Sequence, residues 1–176
     1  MRTKLCDFCL RTGVFCSKCR EKIRKGEVDE FYIRVAKAIM EILDRKGLSF
    51  DFYLDSAFKV GDALVLMLGK GDIARLRPFL KPLRKWLKGR FGVRYVKFLE
   101  ASNNEQEFIE ELFYPLDILT INTVWLPDGS QVTRVVVREN ERTARRFMNY
   151  ELLKEIAKKA MGLTLRIETV PPKSLH

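Results

Sequence analysis

Ala63-Leu64-Val65-Leu66-Met67-Leu68-Gly69-Lys70-Gly71-Asp72-Ile73 is the stretch from which the fold can be read. Six apolar residues in a row, bounded by the Gly61-Asp62 turn and a glycine pair, predict a short buried strand. The glycine pair is a turn, and Asp72 can cap the helix that follows. As a phosphate loop the stretch fails, because its G-x-G lacks both the G-x-x-x-x-G-K-[ST] and the G-x-G-x-x-G spacing. Ile73 to Gly89 reads as helix, interrupted by Pro78 and Pro82. A proline inside a helix removes a donor and clashes with the preceding turn. Two short helices, joined near Arg77-Pro78-Phe79-Leu80-Lys81-Pro82, are therefore expected. Val93 to Leu99 alternates and closes the unit as a strand.

Upstream, Glu27 to Lys46 reads as a helix, with Phe31, Val35, Ile39, Ile42 and Leu43 at three- and four-residue spacing. Asp29 and Glu30 open it, Arg45 and Lys46 end it, as the helix dipole prefers, and Gly47 stops it. Phe50 to Val60 alternates as a strand. Downstream the pattern returns. Glu105 to Phe113 is a short helix ended before Pro115. Ile118 to Leu126 and Gln131 to Val137 are strands around the hairpin turn Pro127-Asp128-Gly129-Ser130. Thr143 to Met161 is helical, in one or two pieces, and Leu163 to Val170 is the last strand. The expected class is α+β: a small metal module over residues 1–25, two similar units over 26–100 and 101–170, and a tail over 171–176.

The module is Cys6-x2-Cys9-x6-Cys16-x2-Cys19, which contains all four cysteines of the chain. Each C-x2-C pair can curl so that two thiolates converge on one ion, and four thiolates complete a tetrahedral zinc shell. Gly13 can supply the positive φ that reverses the chain between the pairs. With no fifth cysteine, and His176 the sole histidine, the shell is closed, which suits a structural zinc ion. Two disulfides would need an oxidising compartment, and a C-x-x-C redox site needs a βαβ context that this stretch is too short to hold. Iron is the other metal four thiolates could take. So small a module cannot enclose a core, so its folding should depend on zinc.

Charge points to a partner. The net charge is +10, with a pI of about 9.6. From Lys70 to Lys97 ten Lys or Arg stand against one acid, Asp72, so this window alone carries +9. That balance favours nucleic acid or another anionic surface. The cations are Lys70, Arg75, Arg77, Lys81, Arg84, Lys85, Lys88, Arg90, Arg94 and Lys97. On a helix, Arg77, Lys81, Arg84, Lys85 and Lys88 share one face, a geometry that suits phosphate tracking. Phe79, Trp86 and Phe91 interleave with them; base stacking is one role open to them, a place in the core the commoner one. In the second unit Arg142, Arg145 and Arg146 form a smaller group with Arg138, diluted by Glu139, Glu141 and Glu151. Lys18, Arg20, Lys22, Arg24 and Lys25 after the cysteines could touch phosphate or form a solvated helix face. No run of 18 apolar residues suggests a membrane span, and the N-terminus lacks the apolar core of a secretory signal, so a cytoplasmic protein without a membrane partner is expected.

The element order α-β-β-α-α-β is that of the type II KH fold, and two such units in tandem resemble the paired KH domains of the NusA transcription factors, above all the short archaeal NusA-like proteins. Asn104-Glu105-Gln106-Glu107-Phe108-Ile109-Glu110-Glu111-Leu112-Phe113-Tyr114-Pro115 is similar to the connector between the two KH domains of that family. Ala63 to Leu68 before Lys70-Gly71-Asp72 resembles the strand entering the first KH motif, and Phe91-Gly92-Val93-Arg94-Tyr95-Val96 its exit. Val135-Val136-Val137-Arg138-Glu139 and Met161-Gly162-Leu163-Thr164-Leu165-Arg166-Ile167 match the corresponding places in the second unit. The resemblance covers roughly residues 27 to 170, and the cysteine module is an addition found in some archaeal relatives. A KH domain carries G-x-x-G between its central helices, where the loop clamps nucleotides by their backbone. Here the first such loop falls near Arg77-Pro78-Phe79-Leu80-Lys81 and the second near Phe147-Met148-Asn149-Tyr150, and neither has a glycine.

The resemblance implies a non-catalytic RNA-binding protein, acting in transcription elongation or termination beside RNA polymerase. With the glycines lost, recognition of shape and phosphate in structured RNA is expected. That makes a ribosome-associated protein docked on ribosomal RNA the alternative, and a protein-interaction adaptor a third reading. An enzyme is not expected, since no useful histidine, second metal cluster or paired carboxylates are present. Neither is a small-molecule substrate.

Overall fold

The structure, a computed structural model, describes residues 1–139 and 149–172. The chain divides into two compact units, Met1–Ala101 and Ser102–His176. Among the described residues it is a mixed α/β protein of six helices and two small sheets.

In the first unit the sheet order is β1 (Arg2–Thr3), β2 (Tyr53–Val60), β3 (Ala63–Leu68), β4 (Tyr95–Glu100). The strand anticipated from the six apolar residues is β3, and all six are buried. It pairs antiparallel with β2, around the Gly61-Asp62 turn, and parallel with β4, from Ala63↔Tyr95 to Leu68↔Glu100. β1 pairs parallel with β2, placing Arg2 beside Tyr53.

Two short helices and two long ones complete the unit: α1 (Asp7–Thr12), α2 (Ser17–Arg24), α3 (Glu30–Lys46) and α4 (Asp72–Phe91). Asp29 caps α3 by accepting from the Tyr32 amide at 2.7 Å. Its apolar stripe, Tyr32, Val35, Ala36, Ile39, Ile42 and Leu43, lies in one cluster with Leu54, Leu64, Leu66, Leu76, Leu83 and Leu87. Leu5, Cys9, Leu10 and Cys19 belong to the same cluster, so the cysteine segment shares the core of the first unit.

Helix α4 corrects the sequence reading. It runs unbroken from Asp72 to Phe91 with Pro78 and Pro82 inside it, where two short helices were expected. The reason lies in which arc the prolines occupy. Leu76, Phe79, Leu83 and Leu87 form the buried stripe, while Pro78 and Pro82 are exposed. The carbonyls of Ala74 and Pro78, deprived of an N–H partner, open to water, and the packed stripe holds the helix together. In this unit the observed order is helix, strand, strand, helix, strand. The start of α4 is fastened by carboxylates: buried Asp72 accepts from the Tyr53 amide at 2.8 Å, and Glu100 accepts from the amides of Gly71 at 2.9 Å and Ile73 at 3.2 Å. Gly69 must be glycine, because a Cβ there would stand 2.5 Å from Asp72 Oδ2.

The second unit has α5 (Glu105–Phe113), β5 (Asp117–Trp125), β6 (Gln131–Arg138), α6 (Tyr150–Met161) and β7 (Leu165–Val170). β6 is central, antiparallel to β5 and parallel to β7. Asn104 caps α5 and Asn149 caps α6. Phe108, Ile109, Leu112, Phe113, Val135, Val137, Leu153 and Ile156 are among its buried residues. The stretch 140–148, which holds Phe147 and Met148 of the second anticipated loop, lies outside the described residues, while Asn149 and Tyr150 begin α6.

Candidate metal centre and basic helix face

Cys6 and Cys16 are the N-cap residues of α1 and α2, and Cys9 and Cys19 lie in the first turns of those helices. Each C-x2-C pair therefore wraps one helix start, and Gly13, at φ 75°, reverses the chain after α1. The four Sγ atoms all lie within 4.8 Å of one another, with Cys6 and Cys19 sulfurs 3.8 Å apart. Metal–sulfur bonds of about 2.3 Å at tetrahedral angles put sulfurs roughly 3.8 Å apart, so the donor set fits a four-thiolate metal ion. Backbone amides point at the sulfurs: Cys6 N at Cys19 Sγ, 3.5 Å, and Cys16 N at Cys9 Sγ, 3.2 Å.

The thiols perturb one another strongly. The Cys19 amide, with the neighbouring thiols, draws Cys16 down to about 7. The Cys9 thiol likewise lowers Cys6. The Cys16 amide favours the Cys9 thiolate, but the Cys6 thiol and burial oppose it more, and Cys9 ends pushed up to about 12. Burial raises Cys19. Four such groups cannot all ionise side by side unless a cation neutralises them, which is what a bound metal does.

The ten cations of the window separate into groups. Arg77, Lys81, Arg84, Lys85 and Lys88 occupy the arc of α4 opposite Leu76, Leu83 and Leu87, as the spacing predicts. Arg84 also donates to the Val96 carbonyl at 3.3 Å and lies over the Phe98 ring, so it is partly committed to packing. Arg75 pairs with Asp72 at 3.1 Å and Arg90 with Glu41 at 3.8 Å, flanking the arc. Lys70 is exposed in the turn before α4, and Arg94 lies over Tyr95 beyond its end. Lys97 alternates with Val96 and Phe98 and so belongs to the opposite face of β4. Arg142, Arg145 and Arg146 lie outside the described residues.

Among the described residues, Arg77, Lys81, Lys85 and Lys88 have no ion-pair partner, whereas Arg2, Arg11, Arg24, Lys25 and Arg45 are all matched by acids. Charge follows the division into units. Residues 1–101 hold 23 Lys and Arg against 12 Asp and Glu, a net +11, and residues 102–176 hold 10 against 11, a net −1. The aromatics between the cations are anchored by contacts within the first unit. Phe79 is buried and stacks on Phe50, Phe91 meets Phe31 edge-on, and Trp86 donates its indole N–H to the Ala38 carbonyl at 2.9 Å.

The sequence offered Asp72 as the cap of α4, but Gly71 is the N-cap and the Asp72 carboxylate accepts from the Tyr53 amide instead. The Glu100 half of the clamp was missed, because only the parallel register of β3 and β4 brings that residue near. Among the described residues no helix is long and apolar enough to cross a membrane. No protein-family model matches the chain, and no curated protein matches it in sequence. In fold it is similar to the crystal structure of APE1850, with a TM-score of 0.55 over 81% of this chain and 100% of that one at 16% sequence identity, a likeness of fold alone.

Proposed function

We propose that the protein is a non-catalytic RNA-binding protein that holds structured RNA on the exposed arc of α4, with a structural zinc ion on Cys6, Cys9, Cys16 and Cys19. The row of unpaired cations Arg77, Lys81, Lys85 and Lys88, in a unit of net charge +11, carries this reading. Four residues span a helix advance of about 6 Å, so Arg77, Lys81 and Lys85 form a regular ladder along an anionic strand. Zinc is favoured among metals because four thiolates in a closed tetrahedral shell leave no open position for chemistry. The resemblance to tandem KH domains of NusA-like proteins supports a role in transcription elongation or termination. The continuous α4 supplies no glycine loop to clamp nucleotides, which favours the alternative of a ribosome-associated protein docked on ribosomal RNA.

The test is the salt dependence of binding to a structured RNA. Each phosphate-contacting cation contributes about 0.7 to 0.9 to the slope of log affinity against log salt. Replacing Arg77, Lys81, Lys85 and Lys88 by Gln should flatten that slope by roughly 3. Unchanged affinity with a flat salt response would sink RNA binding and leave the adaptor reading, which draws on the exposed Val124, Trp125 and Leu126 of the second unit. Comigration of the endogenous protein with ribosomal subunits through a high-salt wash would exclude the transcription reading.

A further inference from the structure

Beside the cation arc, α3 and α4 leave an open groove of about 530 Å³. Ile42, Pro82, Trp86 and Gly89 give it an apolar floor, and Lys46, Lys85 and Arg90 rim it. Lys85 belongs both to this rim and to the unpaired row along α4. The indole of Trp86 is fixed from beneath by its bond to the Ala38 carbonyl and is only half-buried. Arg45 lies with its guanidinium carbon 5.0 Å from the indole centroid, so the ring already takes a cation on one side. Gly89 is helical, and a Cβ placed there would meet nothing within 4 Å, so the groove is open at that position.

We infer that this groove takes one unpaired base of the RNA whose phosphates run along Arg77, Lys81, Lys85 and Lys88. The inference rests on the RNA-binding reading above and adds to it a place where a base is held. An apolar floor with an indole, and a guanidinium on its rim at Arg90, offer stacking to any base. The rim is cationic on both helices, which suits a base that brings its own phosphate and repels a basic peptide. Glu41, which holds Arg45 and Arg90, is the acid near this rim, and it is already engaged by both. The base enters from the Lys85 side, since that residue can keep the 5′ or 3′ phosphate while the ring sits over the floor.

The experiment compares two probes on the full chain: an RNA hairpin with one bulged adenosine, and the same hairpin with an abasic ribose at the bulge. The wild-type protein should bind the adenosine hairpin roughly 5- to 150-fold tighter, the range that stacking one base supplies. Gly89→Leu fills the groove from a position with free space and should remove that preference while leaving the affinity for the abasic hairpin unchanged. In a Trp125→Phe background, Trp86 fluorescence should be quenched by the adenosine hairpin and not by the abasic one, a readout that needs no groove variant. Equal wild-type affinities, or a preference that survives Gly89→Leu, would overturn the groove assignment and leave phosphate binding standing. Binding of neither hairpin would overturn the RNA reading itself.

Discussion

Pro78→Ala isolates the point on which sequence and structure disagree. Pro78 is the seventh residue of α4, beyond the first turn, where a missing N–H would cost nothing, and its ring is exposed. Alanine there restores the bond from residue 78 to the Ala74 carbonyl and removes the clash with that turn. In a helix interior the exchange is worth up to about 3 kcal/mol; the open carbonyl is hydrated in the native protein, so about 2 kcal/mol of stabilisation is the fair figure. For a unit of this size that raises the unfolding midpoint by roughly 10 °C. The assay is thermal and urea unfolding followed by Trp86 fluorescence in a Trp125→Phe background, since Trp125 is an exposed residue of the second unit. If residues 77 to 82 instead formed a loop between two helices, the same change would free the unfolded chain and destabilise by up to about 1 kcal/mol. A lowered midpoint would therefore refute the unbroken helix and the regular cation ladder that depends on it.

Two further outcomes follow from the first unit. Tyr32 accepts from the Lys4 amide at 3.1 Å and donates to the Leu54 carbonyl at 2.6 Å, so Tyr32→Phe strands both and should cost about 2 kcal/mol in urea unfolding. Burial pushes the Tyr32 hydroxyl up to about 12, so the fold favours its neutral form; that stability is complete below the ordinary value of 10.0 and is lost as pH rises through 12, and Tyr32→Phe should abolish this part of the alkaline transition. Metal removal by a chelator should lower the unfolding midpoint of the whole first unit, because Cys9 and Cys19 lie in its core cluster, and a chelated protein that melts unchanged would show the cluster to be dispensable.

How much of this was legible in the sequence depends on the range of the interactions involved. The strand at Ala63–Leu68, the helix stop at Gly47, the hairpin at Asp128-Gly129 and the cysteine pairs are written in residues near one another, and the structure realises them, whereas Asp29, expected in the first turn of α3, is its N-cap. The shared arc of Arg77, Lys81, Arg84, Lys85 and Lys88 was equally local, being helical spacing alone. The prolines were misread because their local cost was weighed without the stripe of Leu76, Phe79, Leu83 and Leu87 that offsets it. Lys97 was grouped with the helix cations by proximity in sequence, whereas strand alternation sends it to the other face. The Glu100 clamp and the sharing of one core by Leu5, Leu10 and α3 arise from contacts across the fold, and no window of the sequence contains both partners.

The unbroken α4 changes how nucleic acid would be held, and not merely where. A glycine loop between helices offers free amides, which grip phosphates at fixed positions and so fix the register of the bases. In α4 the interior amides are spent on the helix itself, Pro78 and Pro82 have none, and the amides of Gly71 and Ile73 at its start are taken by Glu100. Only side chains remain for the ligand. Lysine and arginine on flexible stems attract phosphates without dictating a sequence, so binding should be steeply salt-dependent and nearly blind to base identity. Any selectivity must then come from a place beside the row where a base can leave the solvent, and the groove floored by Trp86 and rimmed by Lys85 offers one. On the proposed reading, grip and base contact fall to different surfaces of one helix, the first removable by neutralising the cations and the second by filling the groove at Gly89.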